Sequence, residues 1–298
     1  MQIAVIIPSY QSWPLIERTL MGLQRQTFDG SFEVVVVDSS GDSTASQIRA
    51  AFPEVAVIET AGRLFPGAAR NRGIAATGSE IIAFIDGDAE PSPDWLATLW
   101  RLHQEHPEWA GVGGSIANGN ASNFIARIAH LLEFSGYTPG WPARIARVIP
   151  TCNLSLKRSA LPSETPFLES TWGNEDVELV ARLAAAGQVI RFEPSLRVTH
   201  FSKTDFGALC RQQGKLGEST AIVRRRYNLP GSWLARTPGA WLLTPAIKAA
   251  ILWRRAFGHE SGAALLLVLG APWIAIALWA WMAGFRRGLH TPSTTGPA

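Results

Sequence analysis

The stretch that decides the fold is Ile81-Ile82-Ala83-Phe84-Ile85-Asp86-Gly87-Asp88. Five successive apolar residues, mostly β-branched or aromatic, read as a strand buried on both faces. The run stops at two carboxylates separated by a glycine. Ligands of open α/β sheets sit outside the carboxyl ends of strands, so Asp86 and Asp88 stand where a hard cation or a ribose hydroxyl is met. Gly87 is expected to let the backbone turn sharply and to admit a phosphate-sized group. Taken alone, Asp-Gly-Asp suits a polar turn capping the next helix equally well, so its meaning depends on its neighbours.

Upstream the same alternation repeats. Ile3 to Ile7 is a short apolar run stopped by Pro8, which cannot donate to a ladder and marks the exit into Ser9-Tyr10-Gln11. Ser12 and Pro14 suit a helix start, and Leu15, Thr19, Leu20 and Leu23 recur at helical spacing to about Gln26. Phe32 to Val37 is a second buried strand that also ends at a carboxylate, Asp38. A helix over Ala45 to Phe52, a strand over Val55 to Ile58 and a small-residue helix opening at Gly67-Ala68-Ala69-Arg70-Asn71-Arg72-Gly73 lead back to the central strand. Strands alternating with helices imply right-handed βαβ units, an α/β fold and a mainly parallel central sheet.

Downstream, a helix carrying Trp95, Leu96, Leu99 and Leu102 precedes a glycine-broken strand over Ala110 to Ile116 and a helix over Phe124 to Phe134. Gly136 to Pro142 reads as a loop exposing Tyr137 and Trp141, either a packed surface loop or an acceptor contact. Thr151 to Leu156 is a strand, and Gly173-Asn174-Glu175-Asp176 turns into a helix over Val177 to Ala186. Val189 to Phe192 and Leu196 to His200 are two further short strands. Glu175 and Asp176 lie at a helix start, where the dipole favours ionised carboxylates.

Lys+Arg 27 against Asp+Glu 24 leaves a formal charge of +3, too small for a nucleic-acid binder. Arg224-Arg225-Arg226, Arg254-Arg255 and Arg286-Arg287 cluster beside hydrophobic segments, which suits anionic lipid headgroups. The two isolated cysteines, Cys152 and Cys210, suggest neither a zinc site nor a disulfide framework. Gly262 to Phe285 is apolar, uncharged and long enough to cross a bilayer. Leu234 to Trp253, interrupted by Arg236 and Lys248, is a second span or an interfacial helix. The start of the chain lacks the pattern of a signal peptide. These features predict a folded domain over 1–225, on the cytoplasmic side of the cell's inner membrane, and membrane-associated helices over 226–298.

The order Val5-Ile6-Ile7-Pro8-Ser9-Tyr10, Val35-Val36-Val37-Asp38, Gly67 to Gly73, Asp86-Gly87-Asp88, Asn174-Glu175-Asp176 and a strand-ending His200 resembles the family 2 glycosyltransferases with the GT-A fold. The resemblance covers about residues 1–202. It implies that Pro8 and Tyr10 line a nucleotide pocket, that Asp38 accepts hydrogen bonds from the base and that Arg70 contacts the nucleotide or its phosphates. It further implies that Asp86 and Asp88 hold ribose and a divalent metal, Mn²⁺ or Mg²⁺, with His200 as a further metal or phosphate contact. Asp176 falls at the position of the general base, beside Glu175. The substrate implied is a nucleotide-diphosphate sugar, and the acceptor is unnamed, a lipid-linked alcohol being one candidate.

The chemistry asks for these residue types independently. Cleaving a sugar–diphosphate bond builds charge on the leaving phosphate, which a carboxylate-held cation neutralises. A second carboxylate takes the acceptor hydroxyl's proton, and attack opposite the leaving group inverts the anomeric centre. Arg211-Gln212-Gln213-Gly214-Lys215 departs from the Gln-rich, Arg-Trp-ending motif of polysaccharide synthases, which points to transfer of one sugar. Lys203, Arg211 and Lys215 suit either a basic lid or a solvated helix face. A NAD-dependent dehydrogenase is disfavoured because no G-x-G-x-x-G follows the first strand. The competing non-enzymatic reading is a membrane-anchored sugar-binding or scaffold protein of the same fold.

Overall fold

A computed structural model describes residues 1–259 and 262–291. In chain order the elements begin with β1 (Ile3–Ser9), α1 (Leu15–Gln24), β2 (Phe32–Asp38), α2 (Thr44–Ala51), β3 (Ala56–Glu59), α3 (Pro66–Ala75) and β4 (Ile81–Ile85). They continue through β5 (Ala89–Pro91), α4 (Trp95–Glu105), β6 (Trp109–Asn118), α5 (Phe124–Phe134), β7 (Arg144–Ile145), β8 (Asn153–Lys157), α6 (Glu175–Ala185) and β9 (Val189–His200). The last are α7 (Phe206–Arg226), α8 (Trp233–Arg236), α9 (Thr244–His259), α10 (Ala263–Leu269) and α11 (Ala271–His290).

The chain divides into two compact units. The first comprises Met1–Gly119, Gly136–Ser170 and Glu175–Phe201; the second comprises Asn120–Ser135, Thr171–Asn174 and the chain from Ser202 onward. A boundary at 225/226 falls instead at the last turn of α7, and α5 groups with the C-terminal helices.

The first unit is built on a nine-stranded sheet in the order β3-β2-β1-β4-β8-β6-β9-β5, with β7 paired to β9. β1 to β4 form parallel ladders, as the βαβ spacing predicts. β8, however, enters antiparallel between β4 and β6, so the sheet is mixed, with β5 and β7 also antiparallel to their neighbour. Burial explains the central run: every residue of β4 is fully buried, as are Ile3 to Ile7 of β1. Pro8 does not end β1. The ladder with β4 stops at Ile6↔Phe84, while the ladder with β2 continues to Ser9↔Asp38, so Pro8 sits where one side is already unpaired.

α3 lies close on β1. A Cβ on Gly73 would stand 2.5 Å from Ile6 Cγ2, so only glycine permits that approach. The expected pair of strands after α6 is one bent strand, β9, whose register against β6 shifts between Gly114 and Ser115, where Pro194 withholds its donor. Tyr137 is buried rather than exposed, its hydroxyl donating to the Val148 carbonyl at 3.0 Å.

In the second unit α5, α9, α10 and α11 share an apolar core that includes Ile128, Leu132, Leu252, Leu266 and Leu278. α7 packs against α11 closely enough that a Cβ on Gly284 would meet the Gly214 carbonyl oxygen at 1.9 Å. The apolar run expected as one span is broken: α10 and α11 are bent by 82° about Gly270. Among the described residues no single helix is long and apolar enough to cross a membrane, although that bent pair passes by length and composition together. The predicted region's last residues, 292–298, lie outside the described residues.

Candidate functional site

The site grows from the carboxyl end of β4. Arg70, one helical turn before Gly73, is 3% exposed. Its Nη2 donates to Asp86 Oδ1 at 2.9 Å and its Nη1 to Glu175 Oε1 at 2.5 Å. Arg70, expected to contact the nucleotide or its phosphates, bridges two carboxylates with one N–H of each terminal nitrogen. Arg70 Nε and Glu175 Oε2 are buried without a hydrogen-bond partner among the described residues.

The two acids of α6 differ in setting. Glu175 is buried against Arg70, whereas Asp176 is half-buried and accepts the backbone N–H of Val177 at 2.8 Å and of Thr151 at 3.4 Å. Burial raises the Asp176 carboxyl above the ordinary aspartate range against the pull of Arg70, with Asp86 adding to the rise. Glu175 is also raised, by burial first and then by the charge of Asp176, against the pull of Arg70. One guanidinium is shared among three carboxylates, so the cluster holds protons more readily than isolated acids do.

Asp88 lies on the other side of the turn. Its Oδ1 is 3.2 Å from His200 Nε2, and the pairing of β5 with β9 sets this up through Ala89↔His200. Donor atoms of Asp86, Cys152 and His200 all lie within 4.8 Å of one another. Carboxylate and imidazole suit a divalent ion, and two of the expected metal residues, Asp86 and His200, stand in that cluster, while Asp88 meets it through His200. Gly87 takes no left-handed backbone, and a Cβ there would meet Ile16 at an ordinary 3.5 Å; the sharp turn does not require it.

At the end of β1 and β2, Asp38 is buried and its Oδ1 accepts the hydroxyls of Ser9 and Ser40, each at 2.6 Å. Tyr10 is exposed, with the Arg63 guanidinium 4.0 Å over its ring. Pro8, on β1, precedes both and is partly buried. The first unit thus brings together Asp86, Arg70, Glu175 and Asp176 around one buried guanidinium, and Asp88 with His200 beside it.

Cys152 was not legible as part of this cluster, because an isolated cysteine carries no spacing signal. Asn153, also unremarked, is a polar residue inside an apolar strand. It accepts from Trp95 Nε1 at 2.9 Å and donates to the Ser115 and Leu196 carbonyls at 3.0 Å, tying β8 to α4, β6 and β9. Lys203, Arg211 and Lys215 belong to the second unit, where Lys215 Nζ lies 5.1 Å over the Trp172 ring.

A family model for glycosyl transferase family 2 matches residues 4–161. Among characterised relatives, the pre-mycofactocin glycosyltransferase of Mycobacterium tuberculosis is 27% identical over 254 residues, 81% of this chain but 52% of its own length. The chain therefore spans about half the length of that relative. Glycosyltransferase AglE of Haloferax volcanii is 27% identical over 230 residues, 74% of this chain and 73% of that protein. Among solved structures, the Pyrobaculum calidifontis mannosyltransferase PcManGT, in complex with GDP-Man and Mn²⁺, matches with a TM-score of 0.64 at 23% identity, over 97% of this chain and 87% of that one. That likeness gives a GT-A-like α/β fold. With the family model matching residues 4–161, more than half of its length, the chain belongs to glycosyl transferase family 2.

Proposed function

We propose that this chain moves one sugar from a nucleotide-diphosphate sugar to an acceptor hydroxyl with inversion at the anomeric carbon. The observation that carries the reading is the division of labour in α6: Glu175 is committed to the buried Arg70, while Asp176 keeps a half-buried carboxylate beside it. Asp176 takes the proton of the acceptor hydroxyl as its oxygen bonds to the anomeric carbon. The bond from that carbon to the diphosphate breaks, and the electron pair leaves on the phosphate. Arg70 orients Asp86 and Glu175, and Asp38 with its two serine hydroxyls meets the base of the nucleotide.

Asp86, Asp88 and His200 would hold a divalent cation, whose contribution when bound is neutralisation of the charge on the leaving diphosphate. This use of a metal is supported by the donor set and by the Mn²⁺ and GDP-Man of the Pyrobaculum mannosyltransferase structure. Asp176→Asn is expected to abolish transfer while nucleotide-sugar binding survives. Full activity in that variant would remove Asp176 from its role.

The same reading puts the acceptor on a lipid and the catalytic unit at the cytoplasmic face of the inner membrane. Support comes from the exposed Leu242, Leu265, Val268, Ile276 and Trp279 of the second unit. Its groove of about 790 Å³, lined by Trp241, Leu242, Trp279 and Met282 with Arg286 and Arg287, joins apolar wall to cationic rim. A dolichyl N-acetyl-α-D-glucosaminyl phosphate stands in the name of a Methanococcus voltae relative, 22% identical. Co-flotation with anionic vesicles tests it; a chain that stays at the bottom of the gradient with and without such vesicles contradicts the membrane placement.

A further inference from the structure

We propose that Cys152 is a ligand of the divalent cation at this site, adding sulfur to the carboxylate of Asp86 and the imidazole of His200. The inference rests on the metal-dependent reading above and concerns what the site selects. Its basis is strand register. β4 and β8 pair antiparallel as far as Ile85↔Asn153, so that Asp86 follows the end of one strand and Cys152 precedes the start of the other. The backbone N–H of Asp86 donates to the Cys152 sulfur, and the charges of Asp86, Asp88 and Arg70 all bear on it. His200 reaches the same point from β9, so Sγ, a carboxylate oxygen and an imidazole nitrogen lie within 4.8 Å of one another.

A buried free cysteine is ordinarily a small apolar filler. That reading leaves out the carboxylate of Asp86 and the imidazole of His200, whose donor atoms lie within 4.8 Å of the sulfur. Cys152 and His200 are buried while the side chains of Asp86 and Asp88 are 31% and 23% exposed, so sulfur and nitrogen form the floor and the carboxylates the open rim. With metal–sulfur near 2.3 Å and metal–nitrogen near 2.0–2.1 Å, sulfur and nitrogen on one tetrahedral ion stand roughly 3.6 Å apart. The observed limit of 4.8 Å closes to that distance with movements of at most about 1.2 Å, shared among the side chains. Asp86 Oδ1 is held by Arg70, which leaves its second oxygen for the ion.

On binding, the Sγ–H bond breaks, the sulfur–metal bond forms and the proton passes to water. No change of oxidation state is involved. A donor set of oxygen, nitrogen and sulfur ranks Zn²⁺ and Co²⁺ above Mn²⁺ and all three above Mg²⁺.

The test titrates the chelator-treated full chain with Co²⁺ alone and reads the near-ultraviolet sulfur-to-cobalt charge-transfer band. The band is expected in the native protein and in Cys210→Ser, and absent from Cys152→Ser, whose Co²⁺ affinity falls at least about tenfold while its Mg²⁺ affinity is little changed. Since the sequence holds two cysteines, persistence in Cys210→Ser assigns the band to Cys152 even where Cys152→Ser folds poorly. Co²⁺ binding seen by its visible bands without a charge-transfer band, or a band that survives Cys152→Ser, overturns the inference and leaves the metal-dependent reading standing. No Co²⁺ binding of any kind overturns both.

Discussion

Arg70 and Glu175, 105 positions apart in the chain, form an ion pair of 2.5 Å in which neither side chain is more than 5% exposed. Such a pair contributes little net stability, because desolvation offsets its attraction, but breaking it strands a buried charge. Arg70→Ala is therefore expected to cost about 3–5 kcal/mol, read as a lower urea midpoint. The double variant Arg70→Met with Glu175→Gln should recover most of that loss while transfer stays abolished. If the double variant were as unstable as Arg70→Ala, the stranded charge would not be the cause.

Acidity should govern transfer through Asp176. Burial raises its pKa, so the base carries a proton at pH values where an ordinary aspartate is ionised. Transfer then rises with pH through a limb displaced above the aspartate range, visible in kcat/KM. For stability the sign is opposite. Acids with a raised folded pKa contribute stability below their unfolded pKa and lose it as pH rises through the folded value. Glu175→Gln should accordingly flatten the loss of stability on going to higher pH.

His103 on α4 should make the first unit sensitive to mild acid. Burial, with a smaller push from Lys157, lowers its pKa to about 4, and its Nε2 lies 2.9 Å from Ser155 Oγ. A depressed histidine contributes stability above its unfolded pKa, and that contribution is lost as pH falls from about 6.5 to about 4. The full effect is on the order of 3 kcal/mol. Urea midpoints for native protein and His103→Gln, measured across this window, should converge as pH falls.

Nucleotide affinity should depend on the two serines that hold Asp38. Ser40→Ala removes one of two 2.6 Å hydrogen bonds to Oδ1 and frees a buried carboxylate to reorient. The loss is expected at about 1–3 kcal/mol in nucleotide binding by calorimetry, with little change in the thermal midpoint. An unchanged affinity would separate Asp38 from the base-binding role.

Much of the layout was legible because local patterns settled it. The helix over Phe124–Phe134 follows its apolar period without adjustment, and β1, β2 and β4 follow from runs too apolar to lie anywhere but between helices. The two strands expected over Val189–Phe192 and Leu196–His200 are one, since a proline disturbs a ladder without ending it. The antiparallel entry of β8 was not legible, because a buried strand reads the same in either direction. Nor was the assignment of Tyr137 to the interior.

The sequence by itself determined the succession of strands and helices, and that carboxylates stand at strand ends and at the start of α6, because hydrophobic period and chain-breaking residues act over a few positions. Tertiary structure decided which carboxylate binds the buried guanidinium, which sulfur reaches Asp86 and where the long apolar run bends. Those outcomes depend on ladder register and on close approaches such as that of Gly73 to Ile6, which arise only when distant segments are packed together.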